Sequence, residues 1–147
     1  MIEQFRIGEL ARRAGATPRA VRYYEELGLL PERCRQHGRH RMYDARDEHR
    51  LRELLRVKQT LGLSLSELRT WSDAEEARAN LRERWNAEVV VDAATRMAIA
   101  QEALIHIERQ MALVGTRRAS LEELEDELIT KRRRVREILL ELGEEAV

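Results

Sequence analysis

A chain of 147 residues with 37% charged and 4% aromatic side chains has room for one compact domain plus an extended element, with large solvated helix faces rather than a deep core. Its formal net charge of zero divides unevenly: 15 Lys and Arg face 10 Asp and Glu through Trp71, and 12 face 17 from Ser72 onward, so only the first half is suited to meet a polyanion. A single cysteine, Cys34, excludes an intrachain disulfide, and with no signal-peptide pattern at Met1–Phe5 and no apolar run near about eighteen residues, the expected location is cytoplasmic.

Ile7, Leu10, Ala11 and Ala14 recur at helical spacing until Gly15 interrupts them. Thr17 caps a second helix, Pro18 fits its first turn and Gly28 its stop, with Val21, Tyr24 and Leu27 on one face. Two short helices across a tight Gly-containing turn make a helix-turn-helix. Residues 30 to 43 contain Pro31 and Gly38 among several arginines and read as a loop or short hairpin. Asp44, with Asp47 three residues on, opens a third helix carrying Leu51, Leu54, Leu55 and Lys58, and Gly62 ends it. Ser64 and Glu67 have capping-box spacing for a fourth helix, roughly Leu65 to Trp71, whose Leu65 and Leu68 are expected to pack on the N-terminal bundle.

Ser72 and Glu75 repeat that spacing, and a helical signal runs from there almost to the C-terminus. Ile107, Val114, Leu121, Leu128, Val135 and Leu142 form a column at intervals of seven. A companion column, Val90, Met97, Leu104 and Met111, stops at Arg118 and Glu125, where Leu124 and Ile138 take over on the other side. This is a coiled-coil seam with a change of register near 115–121. One long helix is one reading; a turn at Gly115-Thr116 with Ser120 and Glu123 capping a separate last helix is the other. The seam needs a cover, either a second copy in a symmetric pair or the last helix folded back as an intrachain hairpin. Met97, Leu104, Ile107, Met111, Val114, Leu121 and Leu128 are the expected dimerisation positions.

In a helix-turn-helix the N-terminal residues of the second helix reach base edges in the major groove. Arg19 and Arg22 sit three apart, away from Val21 and Tyr24, and Arg suits bidentate contact with guanine or a phosphate clamp. Tyr23 has a hydroxyl that can meet a phosphate, whereas Tyr24 belongs to the core. Arg33, Arg35, His37, Arg39, His40 and Arg41 crowd nine residues after that helix, more basic charge than solubility alone needs, and well placed to hold flanking backbone.

These residues resemble the MerR family of transcription regulators. The resemblance lies in Phe5 to Ala11, Thr17 to Leu30 with its Val-Arg-Tyr-Tyr-Glu run, Gly38 to Asp44 with His-Arg-x-Tyr, and Leu61 to Leu65, and it covers residues 5 to 71. It implies an all-α fold with a small β wing, in which a winged helix-turn-helix head over 1–72 precedes a long, dimerising antiparallel coiled-coil helix over 73–147. It further implies a homodimer bound to a palindrome in promoter DNA, bending and untwisting an overlong spacer so that RNA polymerase engages both promoter elements, usually on effector binding. By the same resemblance Thr17, Arg19, Arg22 and Tyr23 supply recognition-helix contacts, and Arg39, Arg41 and Tyr43 lie in the wing, where Arg41 and Tyr43 match the positions that hold backbone.

Relatives that sense metals or redox state use cysteines near the end of the dimerisation helix, and none follows Cys34 here, so no metal or cofactor is expected. His106 has no second ligand at helical spacing. Trp71 and Trp85 bracket the junction of head and coil, as core residues or as the walls of a pocket, and no effector is named by the sequence. No catalytic grouping or phosphate loop appears, so an enzyme is not expected. The reading from another class is a coiled-coil adaptor or architectural DNA-binding protein, with Lys131-Arg132-Arg133-Arg134 as a docking patch or simply a solvated face.

Overall fold

The computed structural model describes residues 3–30, 41–87 and 92–145. The element order is β1 (Phe5–Arg6), α1 (Ile7–Ala14), α2 (Pro18–Glu26), β2 (Met42–Tyr43), α3 (Ala45–Leu61), α4 (Leu65–Ala87) and α5 (Ala93–Glu145). The chain divides into two compact units, Met1–Arg109 and Gln110–Val147. The first holds the helix-turn-helix with its packed helices, and the second is the remainder of α5.

Local chemistry sets each boundary in the first unit. α1 stops where Gly15 turns to φ 70°, a left-handed conformation that costs glycine little, and the Ala16 N–H then reaches back to Ala11 O at 2.8 Å. Thr17 Oγ1 accepts from Ala20 N at 3.1 Å and Pro18 occupies the first helical position of α2. At α3 the cap is reciprocal: Asp44 accepts from the Arg46 and Asp47 N–H groups, and Asp47 accepts from Asp44 N at 2.9 Å. Ser64 and Glu67 do the same for α4, at 2.8 and 3.2 Å.

β1 and β2 pair antiparallel, Phe5 opposite Tyr43 and Arg6 opposite Met42. β2 therefore takes its partner strand from the chain ahead of α1, a pairing that residues 30–43 alone do not announce. One core fills the head: Phe5, Leu10, Ala11, Val21, Tyr24, Leu29, Leu30, Tyr43, Leu51, Leu54, Val57, Leu63 and Leu68. Each large apolar side chain taken out of water there contributes about 1.5–3 kcal/mol.

Three expectations for this region change. α4 does not end at Trp71, and Ser72 with Glu75 caps no new helix. Ser72 is buried inside α4, with its Oγ donating to Leu29 O at 3.3 Å, so its hydroxyl serves tertiary packing. Leu65 is 45% exposed while Leu68 is fully buried, because the first turn of α4 stands clear of the core that its second turn enters. Trp71 and Trp85 lie in different surroundings. Trp71 lines a groove of about 650 Å³ between α3 and α4, whereas Trp85 lies outside it with the Arg96 guanidinium 5.4 Å from its ring centroid.

Toward the end of α4 Leu81 is buried, as is Ile99 on α5, and Arg84 of α4 meets Glu102 of α5 at 3.7 Å. α5 runs unbroken through Gly115, with Thr116 and Ser120 hydroxyls bonded to carbonyls one turn back instead of capping a new helix. Among the described residues there is therefore no separate last helix to fold back as a hairpin. Among the described residues no helix is long and apolar enough to cross a membrane.

Candidate nucleic-acid interface

α2 presents one face to the core and one to solvent, and its sequence decides which is which. Val21 and Tyr24, three apart, are buried; Thr17, Arg19, Arg22 and Tyr23 are exposed. Among the described residues no carboxylate lies within ion-pair distance of Arg19 or Arg22. Tyr23 is 44% exposed, with its ring centroid 6.0 Å from that of Tyr24 at a tilt of 50°. Tyr24 in turn receives Lys58 Nζ at 3.4 Å on its hydroxyl.

The position after Tyr24 is the least expected. Glu25 lies four residues beyond Val21 and so falls on the buried face, where its side chain is only 2% exposed. Two donors from the wing side meet it: Arg41 Nη1 at 2.5 Å and Tyr43 Oη at 2.6 Å. Burial, then the adjacent Glu25 carboxylate, pushes the Tyr43 phenol well above its ordinary range, so it stays a donor. α2 and β2 are thus tied by a buried, charge-assisted contact. Arg41 and Tyr43 both spend hydrogen-bonding capacity inside the protein. Arg39, with Arg33, Cys34, Arg35, His37 and His40, lies outside the described residues.

The C-terminal end of α2 is fastened as well. Gly28 turns the chain at φ 71°, and Leu29 N then donates to Tyr24 O at 2.9 Å. Arg69 from α4 donates to Leu27 O, and Arg50 from α3 donates to Leu29 O at 3.0 Å, to Ser72 Oγ and to Glu76. On α1, Glu9 sits between Arg12 and Arg13, whose guanidinium groups hold its carboxyl down at about 2.

The expected dimerisation residues lie along α5, and all are exposed: Met97 61%, Leu104 53%, Ile107 37%, Met111 65%, Val114 42%, Leu121 58% and Leu128 56%. His106 is partly buried, and among the described residues it joins no cluster of three potential metal ligands.

Residues 5–75 match the model of the MerR HTH family regulatory proteins. The chain is 33% identical over 122 residues to the HTH-type transcriptional regulator HmrR of Rhizobium leguminosarum bv. viciae, an alignment covering 80% of this chain and 81% of that protein. It belongs to the MerR family of helix-turn-helix regulators. Identity is higher but shorter with the HTH-type transcriptional regulator YfmP of Bacillus subtilis, at 40% over 67 residues, or 46% of this chain. This MerR-family chain spans 48% of that relative's length, about half. Among solved structures it is similar to the transcription regulator PbrR691 of Ralstonia metallidurans in complex with lead(II), with 32% identity, 88% and 86% of the two chains covered, and a TM-score of 0.45.

Two features of the interface were absent from the sequence reading: the Glu25 anchor and the Arg50 tie. Glu25 carried a signal, since a carboxylate four residues after a buried valine is one that needs a partner. Arg50 carried none, because its partners are twenty or more residues away.

Proposed function

We propose that this chain is a sequence-specific DNA-binding transcription regulator that binds a palindromic promoter site as a homodimer and distorts the intervening spacer to control transcription. The carrying observation is the pairing of opposites on α2. One face offers Thr17, Arg19, Arg22 and Tyr23 to solvent, and the other is bolted to the wing strand through Glu25. A helix that reads a groove needs free donors outward and a rigid seat inward, because side-chain freedom lost on binding subtracts from affinity.

In this reading Arg19 and Arg22 supply base and phosphate contacts, Thr17 and Tyr23 add hydroxyls, and Arg39 and Arg41 hold the flanking backbone. Tyr43 acts from within, setting the position of Glu25 and Arg41. The apolar positions of α5, Met97, Leu104, Ile107, Met111 and Val114, continued by Leu121 and Leu128, are the dimer seam. Two linked heads then supply the torque that deforming a spacer requires, at an elastic cost of order 1–6 kcal/mol. RNA polymerase is engaged through the altered DNA, and the protein works in the cytoplasm.

The test is to map bound sites across the genome and carry one into transcription with purified polymerase, using the wild type and Arg22→Ala. The variant should lose about 1–3 kcal/mol of specific binding and lose transcriptional control in step. Unchanged affinity would remove Arg22 from the interface, and an unchanged transcript from a saturated promoter would favour an architectural role.

A further inference from the structure

The distal part of α5 leaves an apolar face uncovered, and the charges beside it indicate what fits there. Leu121, Leu124, Leu128, Val135, Ile138 and Leu142 recur at spacings of three and four, with one interval of seven from Leu128 to Val135, and are between 44% and 58% exposed. Within a coiled-coil frame, 121, 128, 135 and 142 are a positions and 124, 131 and 138 are d positions, with Lys131 the polar member.

From Glu122 to Arg136 the flanking charges are sorted by sign: Glu122, Glu123, Glu125, Asp126 and Glu127 come first, then Lys131, Arg132, Arg133, Arg134 and Arg136, with Glu137 after them facing Glu122 as a like-charge pair. The blocks mirror each other about the bond between Ile129 and Thr130: Glu123 with Arg136, Glu125 with Arg134, Asp126 with Arg133, Glu127 with Arg132. A helix with this antisymmetry is complementary to itself run backwards. An ion pair within the segment joins Arg118 to Glu122 at 3.6 Å, whereas Glu125, Glu127, Arg132 and Arg134 have no ion-pair partner among the described residues.

We propose that residues 117–142 are a second self-association site, which takes the same segment of another copy in antiparallel orientation about a two-fold centre between Ile129 and Thr130, and so joins two dimers. This rests on the homodimer reading and moves Leu121 and Leu128 from that seam to this one. About that centre a positions face d positions: Leu121 meets Ile138 of the partner subunit, and Leu124 meets Val135 of the partner subunit. The flanking e and g positions bring Glu125 to the partner's Arg132 and Glu127 to the partner's Arg134, each twice by symmetry. Lys131 falls opposite Leu128 of the partner subunit, where its stem covers apolar surface and its ammonium lies beside the partner's acidic block. A parallel pair would instead set Lys131 against its own copy in a buried layer.

The copy held here differs from the one that completes the dimer. The proximal positions have their own antiparallel centre, near Ile105 and His106, where Leu104 meets Ile107 and Met97 meets Val114 of the partner subunit. Two antiparallel helices share one two-fold axis, α5 is unbroken over Ala93–Glu145, and the seam changes register beside Gly115. A single partner running antiparallel cannot serve both centres.

Sedimentation velocity of the full chain tests this with two charge-reversed variants, E125R/E127R and R132E/R134E. All four residues are exposed and circular dichroism will report that the helices remain. The wild type should form tetramers. Each variant alone should sediment as a dimer, with the dimer–tetramer Kd raised on the order of a hundredfold as four attractive pairs become repulsive. An equimolar mixture of the two should recover tetramers, since opposite signs then meet at every pair. Variants that assemble as the wild type does, a wild type that stays dimeric, a mixture that fails to recover, or variants that fall to monomers would each overturn the proposal. Affinity of the variant dimers for a palindrome, read separately, reports on the DNA-binding dimer itself.

Discussion

Replacing Glu25 by Gln keeps the size of the side chain and removes the charge that ties α2 to the wing strand. The carboxylate is 2% exposed and accepts from Arg41 Nη1 at 2.5 Å and from Tyr43 Oη at 2.6 Å. Hydrogen bonds to a charged group contribute about 1.5–3 kcal/mol each. Gln keeps one acceptor oxygen but turns an NH2 toward a donor, so about one such bond is lost and the other weakened. The Arg41 side chain is 29% exposed, and water returns part of that loss. A net destabilisation of about 2–3 kcal/mol follows, a large share of the roughly 5–15 kcal/mol that holds a domain together. Thermal unfolding followed by circular dichroism should show Tm lowered by about 5–10 °C. Glu25→Ala, which leaves both donors unmet, should cost more, about 3–5 kcal/mol. DNA affinity should fall in both, although Glu25 touches no DNA. A Gln variant within about 0.5 kcal/mol of wild type would mean that Arg41 and Tyr43 find other partners freely, and the wing-to-helix tie would lose its basis.

Tyr43→Phe separates the phenol from the ion pair. The phenol's pKa is raised in the folded state, so its stabilising contribution is complete below pH about 10 and is lost as pH rises beyond that value. Urea titrations should therefore show the wild type losing stability above pH about 10 more steeply than the variant, and parallel curves would refute the assignment. Val114→Asp puts a charge into the proximal seam and should abolish cooperative occupation of a palindrome, which E125R/E127R should leave intact; a gel-shift series in which both variants bind as the wild type does would remove the proximal seam from the dimer.

The sequence made the head legible because its punctuation is local. Thr17 with Pro18, Asp44 with Asp47, and Ser64 with Glu67 are each within a few residues of the backbone groups they satisfy, so spacing alone locates the helix starts. Ser72 with Glu75 shows where that reasoning fails. The same spacing lies mid-helix, because a tertiary acceptor, Leu29 O, holds the serine hydroxyl. Glu25, Arg41 and Tyr43 were each visible, but their convergence depends on a strand pairing between Phe5–Arg6 and Met42–Tyr43 that no short-range pattern encodes. For α5 the heptad columns were readable throughout. Its continuity past Gly115 was not, because one glycine in a helix costs only about 1 kcal/mol and flanking turns absorb it.

The carbonyls at the end of α2 are held from outside their own helix. Leu27 O takes Arg69, and Leu29 O takes Arg50 and Ser72, so α3 and α4 grip the reading helix at its far end while Glu25 pins its middle to the wing strand. A lever clamped at two points turns with whatever turns its clamp. In the complex proposed above, a tilt of α4 passes through these bonds to Arg19 and Arg22 as a change of pitch in the groove.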